Sequence, residues 1–273
     1  MARTLTGRLA LFLVLCIALP LASAVEYRFK DPSRKPAVTL SPSVLSDAER
    51  AFIAGLPEIR VALQMAGAPP YETVGADGEI AGFQADVLSY LAGTFGLRVR
   101  PVVFADWPSV LRAVREGEAD MVLTLAVTPD RLRFLEFTLG TVQVPTGLLG
   151  YQGNSAAVDT ARFALERDYA SNALVRRQYP RATIVPTDTT IEALRAVAEG
   201  RADYYVGSLL IALDVLSQSV VNGIEVRDIL QSGPGLYHFG IRKDWAPLAA
   251  ILNKGITQFR AAAEPAAVAA AAS

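Results

Sequence analysis

A ten-residue sequence occurs twice in this chain. Leu111 to Asp120 is LRAVREGEAD and Leu194 to Asp203 is LRAVAEGRAD, so eight of the ten positions are identical. Each copy has apolar residues at helical spacing, a glycine suited to end a helix, and a following apolar stretch that predicts a buried strand. Two copies 83 residues apart are too few and too distant for a solenoid. The repeat predicts two similar α/β lobes with a ligand-binding cleft between them; the alternative is chance recurrence of an alanine-rich helix.

The first 24 residues have the pattern of a secretory signal peptide. Arg3 and Arg8 form a basic region, an apolar run follows over residues 9–21, and Ala22-Ser23-Ala24 is a typical cleavage site. The lone cysteine, Cys16, lies inside the apolar run and lacks the small preceding residue of a lipoprotein site. We therefore expect cleavage after Ala24 and a periplasmic mature protein without a lipid anchor or a disulfide.

The charge balance argues against a nucleic-acid-binding protein. Removal of the signal peptide changes the formal net charge from −1 to −3, because this segment carries two arginines and no acidic residue. A nucleic-acid-binding protein would instead present a clustered basic surface. No other segment is long and apolar enough to span a bilayer, so we expect no membrane insertion of the mature chain.

Strands and helices alternate along the mature chain. Residues 25–57 predict a proline-rich leader followed by a linker helix that Ser46 caps. From residue 58 onwards, short apolar strands alternate with amphipathic helices, which is typical of a mainly parallel, twisted sheet. Residues 137–151 predict an extended crossover between the lobes. Residues 261–273 are rich in alanine and predict a disordered tail.

Five segments, in chain order, resemble the bacterial extracellular solute-binding proteins of family 3. They are IRVAL (59–63), PPYE (69–72), GEIAGFQADVLSYLAGTFGL (78–97), the stretch from Trp107 to Asp120, and TPDRLRFLEFT (128–138), and the second repeat follows them. The lead-in over residues 45–63 is most similar to the periplasmic sensor domains of hybrid histidine kinases.

This resemblance implies an α/β, two-lobe periplasmic-binding-protein fold, the Venus flytrap. Each lobe would be a mainly parallel sheet flanked by helices, and two hinge crossovers would connect the lobes. Lobe 1 would then comprise residues 58–145 plus 236–260, and lobe 2 residues 146–235. The function implied is closure on a small polar or anionic organic ligand by hinge motion.

The resemblance also implies a role for Arg131, the arginine of a T-x-x-R motif. In the family this arginine binds the carboxylate of the ligand, because a planar guanidinium makes two parallel charge-assisted hydrogen bonds. Thr124 and the backbone N–H of Ala126 would add donors. The alternative is a surface arginine that pairs with Asp130 or Glu136.

The opposite lobe is expected to contribute Asp168 and Tyr169, just before a helix whose N-terminal N–H groups attract anions. Relatives have a glycine-threonine type turn there, so Asp168 is a departure. It either weakens carboxylate binding or simply caps the helix. Trp107 and Tyr71 are candidate apolar walls of the cleft, with ordinary core positions as the alternative.

Ser208 is a second departure from the family. Amino-acid receptors place an aspartate there to bind the ammonium group of the ligand, and a serine cannot supply the opposite charge. Gln64 stands where an acidic residue often occurs, and Gly67-Ala68 replace a stacking aromatic. We therefore expect an uncharged or carboxylate-only small molecule rather than a standard amino acid.

No catalytic or metal-binding pattern is present. The one histidine, His238, lies in a predicted return strand, where a core or hinge role is expected. The sequence has no Cys/His cluster, calcium loop, P-loop, dinucleotide fingerprint or nucleophile elbow. We expect no metal, no cofactor and no enzymatic activity. The alternative is a periplasmic dehydratase on this fold, with a cleft carboxylate such as Asp168 as acid or base.

The sequence is compatible with two binding functions. The first is a receptor that delivers its ligand to an inner-membrane permease. The second is a sensory module related to the ectodomains of hybrid histidine kinases, with a sensor kinase as its partner.

Overall fold

The computed structural model describes residues 25–30 and 40–271; the predicted signal peptide lies outside this part of the chain. Within it, no helix combines the length and apolarity needed to cross a membrane. The strands are β1 (Arg28–Phe29), β2 (Ile59–Gln64), β3 (Thr73–Val74), β4 (Glu79–Ala81), β5 (Val99–Phe104), β6 (Met121–Leu125), β7 (Leu135–Phe137), β8 (Val142–Tyr151), β9 (Arg162–Glu166), β10 (Thr183–Thr187), β11 (Tyr204–Ser208) and β12 (Ile224–Arg242). The helices are α1 (Asp47–Gly55), α2 (Phe83–Phe95), α3 (Trp107–Glu116), α4 (Ala170–Gln178), α5 (Thr190–Ala198), α6 (Leu209–Ser217) and α7 (Ala246–Ala271).

The predicted linker helix is α1, and Ser46 caps it as expected. The Ser46 hydroxyl accepts a hydrogen bond from the Glu49 backbone N–H at 3.2 Å, and the Glu49 carboxylate accepts one from the Ser46 N–H at 2.7 Å. This reciprocal capping box satisfies two backbone N–H groups that would otherwise have no partner. Lys254 of α7 forms an ion pair with Glu49 at 2.7 Å, which joins the linker helix to the body of the protein.

The first half of the large sheet has the strand order β5-β2-β6-β12. Strand β2 is parallel to both β5 and β6, whereas β12 is antiparallel to β6. Ile59, Val61 and Leu63 belong to a core shared with α2 and α7, and Ala62 belongs to a second core shared with α3. Helices therefore cover both faces, which explains the continuous apolar run of β2. We call these elements lobe 1.

The second half of the sheet has the order β10-β9-β11-β8, with β9 parallel to β10 and β11, and β8 antiparallel to β11. One core packs against α4 and the other against α5 and α6. We call these elements lobe 2. Each lobe is a mainly parallel sheet flanked by helices, as the sequence predicts.

Strands β8 and β12 connect the two lobes. They pair with each other in antiparallel fashion, and β12 passes through register shifts, one of them between Leu230 and Gly235, before residues 238–241 pair with β6. The predicted lobe boundaries, 145/146 and 235/236, fall inside these two strands and stay predictions. The sequence predicts only residues 237–241 of β12, because the glycines and proline at 233–235 interrupt its apolar pattern.

The C-terminal segment differs from its prediction. Residues 261–273 are expected to be disordered, but α7 continues as a helix as far as Ala271. Alanine has the highest intrinsic helix propensity, and extending an existing helix avoids the cost of nucleation. The alanine-rich composition therefore continues the helix instead of ending it.

The two copies of the repeat have the same local structure. The first comprises α3, Gly117 and the residues before β6, and the second comprises α5, Gly200 and the residues before β11. Both glycines are left-handed, with φ of +77° and +71°. A glycine adopts this conformation without steric strain, so both helices end where the sequence predicts.

Candidate ligand-binding cleft

A cavity of about 60 Å³ lies between the two lobes. Strand ends β2 and β6 approach it from lobe 1, and the start of α4 and the end of β11 approach it from lobe 2. In a mainly parallel sheet, the carboxyl ends of the strands are the usual position of a ligand site. Its polar wall includes Gln64, Glu72, Thr124 and Arg131 from lobe 1 and Tyr169, Ser171 and Ser208 from lobe 2.

Arg131 lies at the wall of this cavity and is only 4% exposed. It begins a 3₁₀ turn, and its backbone N–H donates to the Thr128 hydroxyl at 3.3 Å. Nη1 donates to the Ala126 carbonyl and Nη2 to the Asp168 carbonyl, both at 2.8 Å. The guanidinium also lies over the Trp107 ring, 5.3 Å from its centroid. Ala126 thus contributes a carbonyl that orients the arginine.

Among the described residues, the charge of Arg131 has no carboxylate partner. Asp130, the first alternative partner, pairs instead with Arg115 at 3.5 Å and Arg133 at 3.4 Å. In the part of the chain that the structure describes, no carboxylate oxygen lies within 4.0 Å of the Arg131 guanidinium. Burial lowers the pKa of Arg131 to about 10, so it stays protonated at neutral pH. A buried, unpaired cation is costly, and an anionic ligand would compensate it.

Asp168 faces the cleft with its backbone and not with its side chain. The residue is left-handed, with φ of +60°, and it is exposed. Its carbonyl accepts hydrogen bonds from Arg131 and from Trp107 Nε1, the latter at 3.2 Å. The predicted helix cap is wrong, because the N-cap of α4 is Tyr169 and no side chain caps it. The carboxylate of Asp168 is therefore also poorly placed for acid–base chemistry in the cavity.

Tyr169 connects the lobes across the cleft. Its hydroxyl accepts a hydrogen bond from Gln64 Nε2 at 2.9 Å, and its ring packs edge-on against Trp107 with centroids 5.6 Å apart. Burial raises the pKa of Tyr169, so the phenol stays protonated. Together with the two bonds to the Asp168 carbonyl, these contacts hold the lobes in a closed arrangement. Trp107 lines the cavity, and its role in ligand binding stays a prediction.

Ser208 also lies at the cavity wall, whereas Tyr71 packs behind it. The Ser171 hydroxyl is buried without a hydrogen-bond partner among the described residues, and the Ser208 hydroxyl lies beside the phenol groups of Tyr71 and Tyr237. Tyr71 is 2% exposed and packs edge-on against Tyr237, which does line the cavity, with centroids 5.1 Å apart. Tyr71 therefore occupies the position of an ordinary core aromatic rather than that of a cleft wall.

Glu72 is the cleft residue that sequence reasoning missed. It is 2% exposed, lines the cavity, and accepts a hydrogen bond from the Thr124 hydroxyl at 2.6 Å. Burial raises its pKa to about 7. Thr124 is thus engaged with Glu72. The expectation of an uncharged or carboxylate-only ligand rested on Ser208 and Gln64 and did not consider Glu72; the sequence signal was the glutamate inside the PPYE segment.

Comparison with known proteins identifies the family. The model of the bacterial extracellular solute-binding proteins, family 3, matches residues 59–270. The chain belongs to this family. The match covers the cleft residues of both lobes and all strands from β2 to β12, so the family fold includes the whole site described above.

The relatives of this family 3 domain include two sensor proteins. The virulence sensor protein BvgS of Bordetella pertussis is 28% identical over 213 residues, which is 76% of this chain and 17% of BvgS. The sensor protein EvgS of Escherichia coli K12 is 26% identical over 84% of this chain and 20% of EvgS. The chain thus spans about a fifth of the length of these relatives. The crystal structure of the BvgS periplasmic VFT2 domain has a TM-score of 0.69 and 27% identity, covering 78% of this chain and 92% of that domain.

His238, the one histidine, makes its hydrogen bond inside this family 3 domain. His238 Nδ1 forms a 2.7 Å hydrogen bond with the Thr138 carbonyl, and burial lowers the pKa of its ring. Among residues 25–30 and 40–271, no group of three His, Cys, Asp or Glu side chains could hold a metal ion. The cleft offers a buried cation, a buried carboxyl group and hydroxyls, which is a set of groups suited to binding a small polar molecule.

Proposed function

We propose that this family 3 domain is a periplasmic sensor module that binds a small organic anion between its lobes. The observation that carries the proposal is Arg131, a buried guanidinium with no carboxylate partner in the described chain, at the wall of a closed cleft. A desolvated cation that is fixed by two carbonyls and an aromatic ring is pre-organised for an anionic group. Export of the domain through cleavage after Ala24 is part of the same proposal.

The names of the relatives favour sensing over uptake. BvgS and EvgS are both named sensor proteins, and the periplasmic VFT2 domain of BvgS has a solved structure with the same fold. The partner proposed for this domain is therefore an inner-membrane sensor kinase. Ligand binding would shift the population toward the closed arrangement, in which Tyr169 and the Asp168 carbonyl meet lobe 1.

The first experiment is a screen of small carboxylates by thermal shift, followed by titration of the hits against Arg131→Ala. Loss of a desolvated charge pair reduces the binding free energy by about 2–5 kcal/mol, so the affinity of Arg131→Ala for the ligand should fall by roughly thirtyfold to several thousandfold. Arg131→Lys should recover only part of the affinity, because an ammonium lacks the fork geometry. Arg133→Ala is the matched control, since Arg133 lies on the same turn, is exposed and pairs with Asp130.

The melting temperature of the ligand-free variant separates binding from structure. Because Arg131 has no ionic partner in the part of the chain that the structure describes, its loss should change the stability of the ligand-free protein little. Unchanged ligand affinity together with a large drop in melting temperature would show that Arg131 is structural, and the proposed function would be wrong.

Two further measurements address partner and chemistry. Cross-linking of the liganded protein in membranes should capture a histidine kinase; capture of a permease instead would favour uptake. Ligand recovered after prolonged incubation should be chemically unchanged, because we propose a binding protein. Turnover would instead indicate an enzyme on this fold.

A further inference from the structure

Outside the closed cavity, the two lobes form a second and larger space. It is an open groove of about 980 Å³. Its lobe 1 wall comes from α3 and residues 128–134, and its lobe 2 wall comes from α4 and the residues just before it. Among the described residues, only Arg131, Tyr169 and Ala170 border both this groove and the closed cavity. A molecule in the groove therefore contacts both lobes without entering the cavity.

The walls of the groove are strongly basic. They carry five arginines and two aspartates, Asp130 and Asp168, with no other charged side chain among the described residues. The mature chain expected after cleavage behind Ala24 has the opposite balance, a formal net charge of −3. A concentration of one sign of charge on a concave surface attracts molecules of the opposite sign. We call this surface the arginine groove.

Two arginines of the groove, one on each lobe, have no carboxylate partner. Asp130 pairs with Arg115 at 3.5 Å and with Arg133 at 3.4 Å. In the described part of the chain, no carboxylate oxygen lies within 4.0 Å of the guanidinium of Arg112, on α3, or of Arg176, on α4. Both residues are exposed. Their planar forks of N–H donors are therefore available to carboxylates from outside.

Apolar surface lies between these arginines. Leu111 and Phe134 contribute it from lobe 1 and Ala173 from lobe 2. Leu111 and Arg115 are four positions apart on α3, and Ala173 and Arg176 are three positions apart on α4, so each pair occupies one helix face. A small inorganic anion would pair with the arginines and leave this apolar surface uncovered. A peptide that carries both acidic and apolar side chains covers both.

The length of the groove indicates how many residues such a peptide places in it. The face of α3 from Pro108 to Arg115 is about 10 Å long at 1.5 Å per residue. An extended chain advances about 3.3 Å per residue. About three extended residues therefore span this face, with acidic and apolar side chains pointing alternately to opposite sides.

We propose that the arginine groove binds a short acidic peptide segment of a partner protein, whose carboxylates pair with Arg112 of lobe 1 and Arg176 of lobe 2 and whose apolar side chains contact Leu111 and Ala173. This inference goes beyond the proposed function, because neither arginine borders the cavity in which the small organic anion is placed. The groove is a second binding site with a different class of ligand.

The probe is a fluorescein-labelled, acetylated and amidated octapeptide of alternating glutamate and leucine. Its counterpart has glutamine in place of every glutamate. Fluorescence anisotropy at about 50 mM salt should show saturable binding of the acidic peptide with a Kd below about 1 mM, and at least about tenfold weaker binding of the glutamine peptide. Raising the salt to about 500 mM should weaken the acidic peptide severalfold, because salt screens exposed charges.

Arg176→Glu and Arg177→Glu form a matched pair of variants. The two arginines are neighbours on α4, both are exposed, and of the two only Arg176 lines the groove. Both substitutions change the net charge of the protein equally. Arg176→Glu should weaken the acidic peptide by about tenfold or more, and Arg177→Glu by less than about twofold. Arg112→Glu should act like Arg176→Glu, because the peptide contacts both lobes.

Melting temperatures verify that the variants fold. The three arginines are exposed and have no carboxylate partner among the described residues, so each variant should melt close to the wild-type temperature. If charge reversal at position 176 lowers the melting temperature, Arg176→Ala takes its place. This variant removes the attraction without adding a repulsion and should weaken the acidic peptide by about threefold.

Four outcomes would overturn the proposal. Equal effects of Arg176→Glu and Arg177→Glu would mean that the peptide responds to net charge and not to the groove. An effect of Arg176→Glu without one of Arg112→Glu would mean that the peptide does not bridge the lobes. Equal binding of the glutamine peptide, or no binding of the acidic peptide at about 1 mM, would exclude recognition of carboxylates. Complete displacement of the peptide by an equal concentration of tripolyphosphate would identify a site for small inorganic anions.

Discussion

The two copies of the repeat end in aspartates that make the same contacts in different surroundings. Asp120 accepts hydrogen bonds from the Arg60 backbone N–H and Nε, both at 2.9 Å, and from Nη2 at 2.7 Å. Asp203 accepts the corresponding bonds from Arg162 at 2.7, 3.1 and 2.7 Å. Arg60 also donates to the carbonyl of Gly117, and Arg162 likewise donates to the carbonyl of Gly200. One sequence therefore forms the same aspartate–arginine contact twice.

The surroundings of the two contacts differ. The Asp120 side chain is 2% exposed and also accepts from Arg242 of β12 at 3.1 Å, whereas the Asp203 side chain is 19% exposed. No second arginine contacts Asp203 among the described residues. Because water screens exposed charges and buried ones are screened much less, the contact in lobe 1 should carry more of the folding free energy. The local sequence pattern therefore sets the geometry of the aspartate–arginine contact, and its surroundings set the contribution of the contact to stability.

The largest expected effect is a difference in the free energy of unfolding between Asp120→Ala and Asp203→Ala. Loss of Asp120 leaves Arg60 and Arg242 without their shared buried carboxylate, and we expect the free energy of unfolding to fall by about 3 kcal/mol. Asp203→Ala should cost clearly less, because water can solvate the half-exposed Arg162. Urea unfolding measures both values. Equal losses would show that burial does not distinguish the two contacts.

The acid side of the stability curve tests the same contact. Burial alone would raise the pKa of Asp120, but the hydrogen bonds from Arg60 and Arg242 outweigh it and hold the pKa below its ordinary value. A lowered carboxyl pKa stabilises the fold above the unfolded value of about 4, and this contribution disappears as the pH falls through the folded value. The stability difference between the wild type and Asp120→Ala should therefore shrink below about pH 4.

The glycines of the repeat should behave alike in the two lobes. Gly117 and Gly200 are both left-handed, and an added methyl group at either position would meet no atom closer than 3.9 Å. The cost of an alanine is then backbone strain alone, about 1–2 kcal/mol in each case. Thermal unfolding of Gly117→Ala and Gly200→Ala measures it. Unequal costs would mean that surroundings also matter at the helix ends.

Gly93→Ala is the control for this pair. Gly93 is an exposed residue inside α2 with open space around its Cα. Alanine there should stabilise the protein by about 0.5–1 kcal/mol, because glycine loses more conformational freedom in a helix. A destabilising effect would show that the measurement does not isolate backbone strain.

The smallest expected effect concerns the contact between the lobes. Tyr169→Phe removes the hydrogen bond with Gln64 but keeps the ring against Trp107, and Gln64 still donates to the Gly67 carbonyl at 2.7 Å. The closed arrangement should lose about 1 kcal/mol relative to an open one. Small-angle scattering of the ligand-free protein should then show a larger radius of gyration.

Tyr179→Phe is the matched control for closure. Tyr179 stacks on Phe163 within lobe 2, with ring centroids 5.4 Å apart, so its hydroxyl should not affect the angle between the lobes. An identical scattering change in both variants would contradict a closing role for Tyr169.

Several features of this protein depend only on neighbours in the chain, and the sequence determines them. Ser46 and Asp106 cap their helices, and Gly117 ends α3 in the left-handed conformation. Helix caps and helix stops depend on contacts between residues no more than about four positions apart in the chain. They can therefore be identified from the sequence. The ordered motifs also identified the family, which the match over residues 59–270 confirms.

Only the tertiary structure decided which groups line the cleft. Arg131 meets a carbonyl 37 residues away, and Glu72 meets a hydroxyl 52 residues away. The left-handed backbone of Asp168 turns its carbonyl toward the cleft. Its carboxylate, which the sequence suggested as the ligand-binding group, belongs to an exposed residue. Burial of Glu72 likewise depends on strands that are distant in the chain. The sequence specifies local geometry through short-range contacts, whereas desolvation and charge pairing arise from long-range packing that no local pattern encodes.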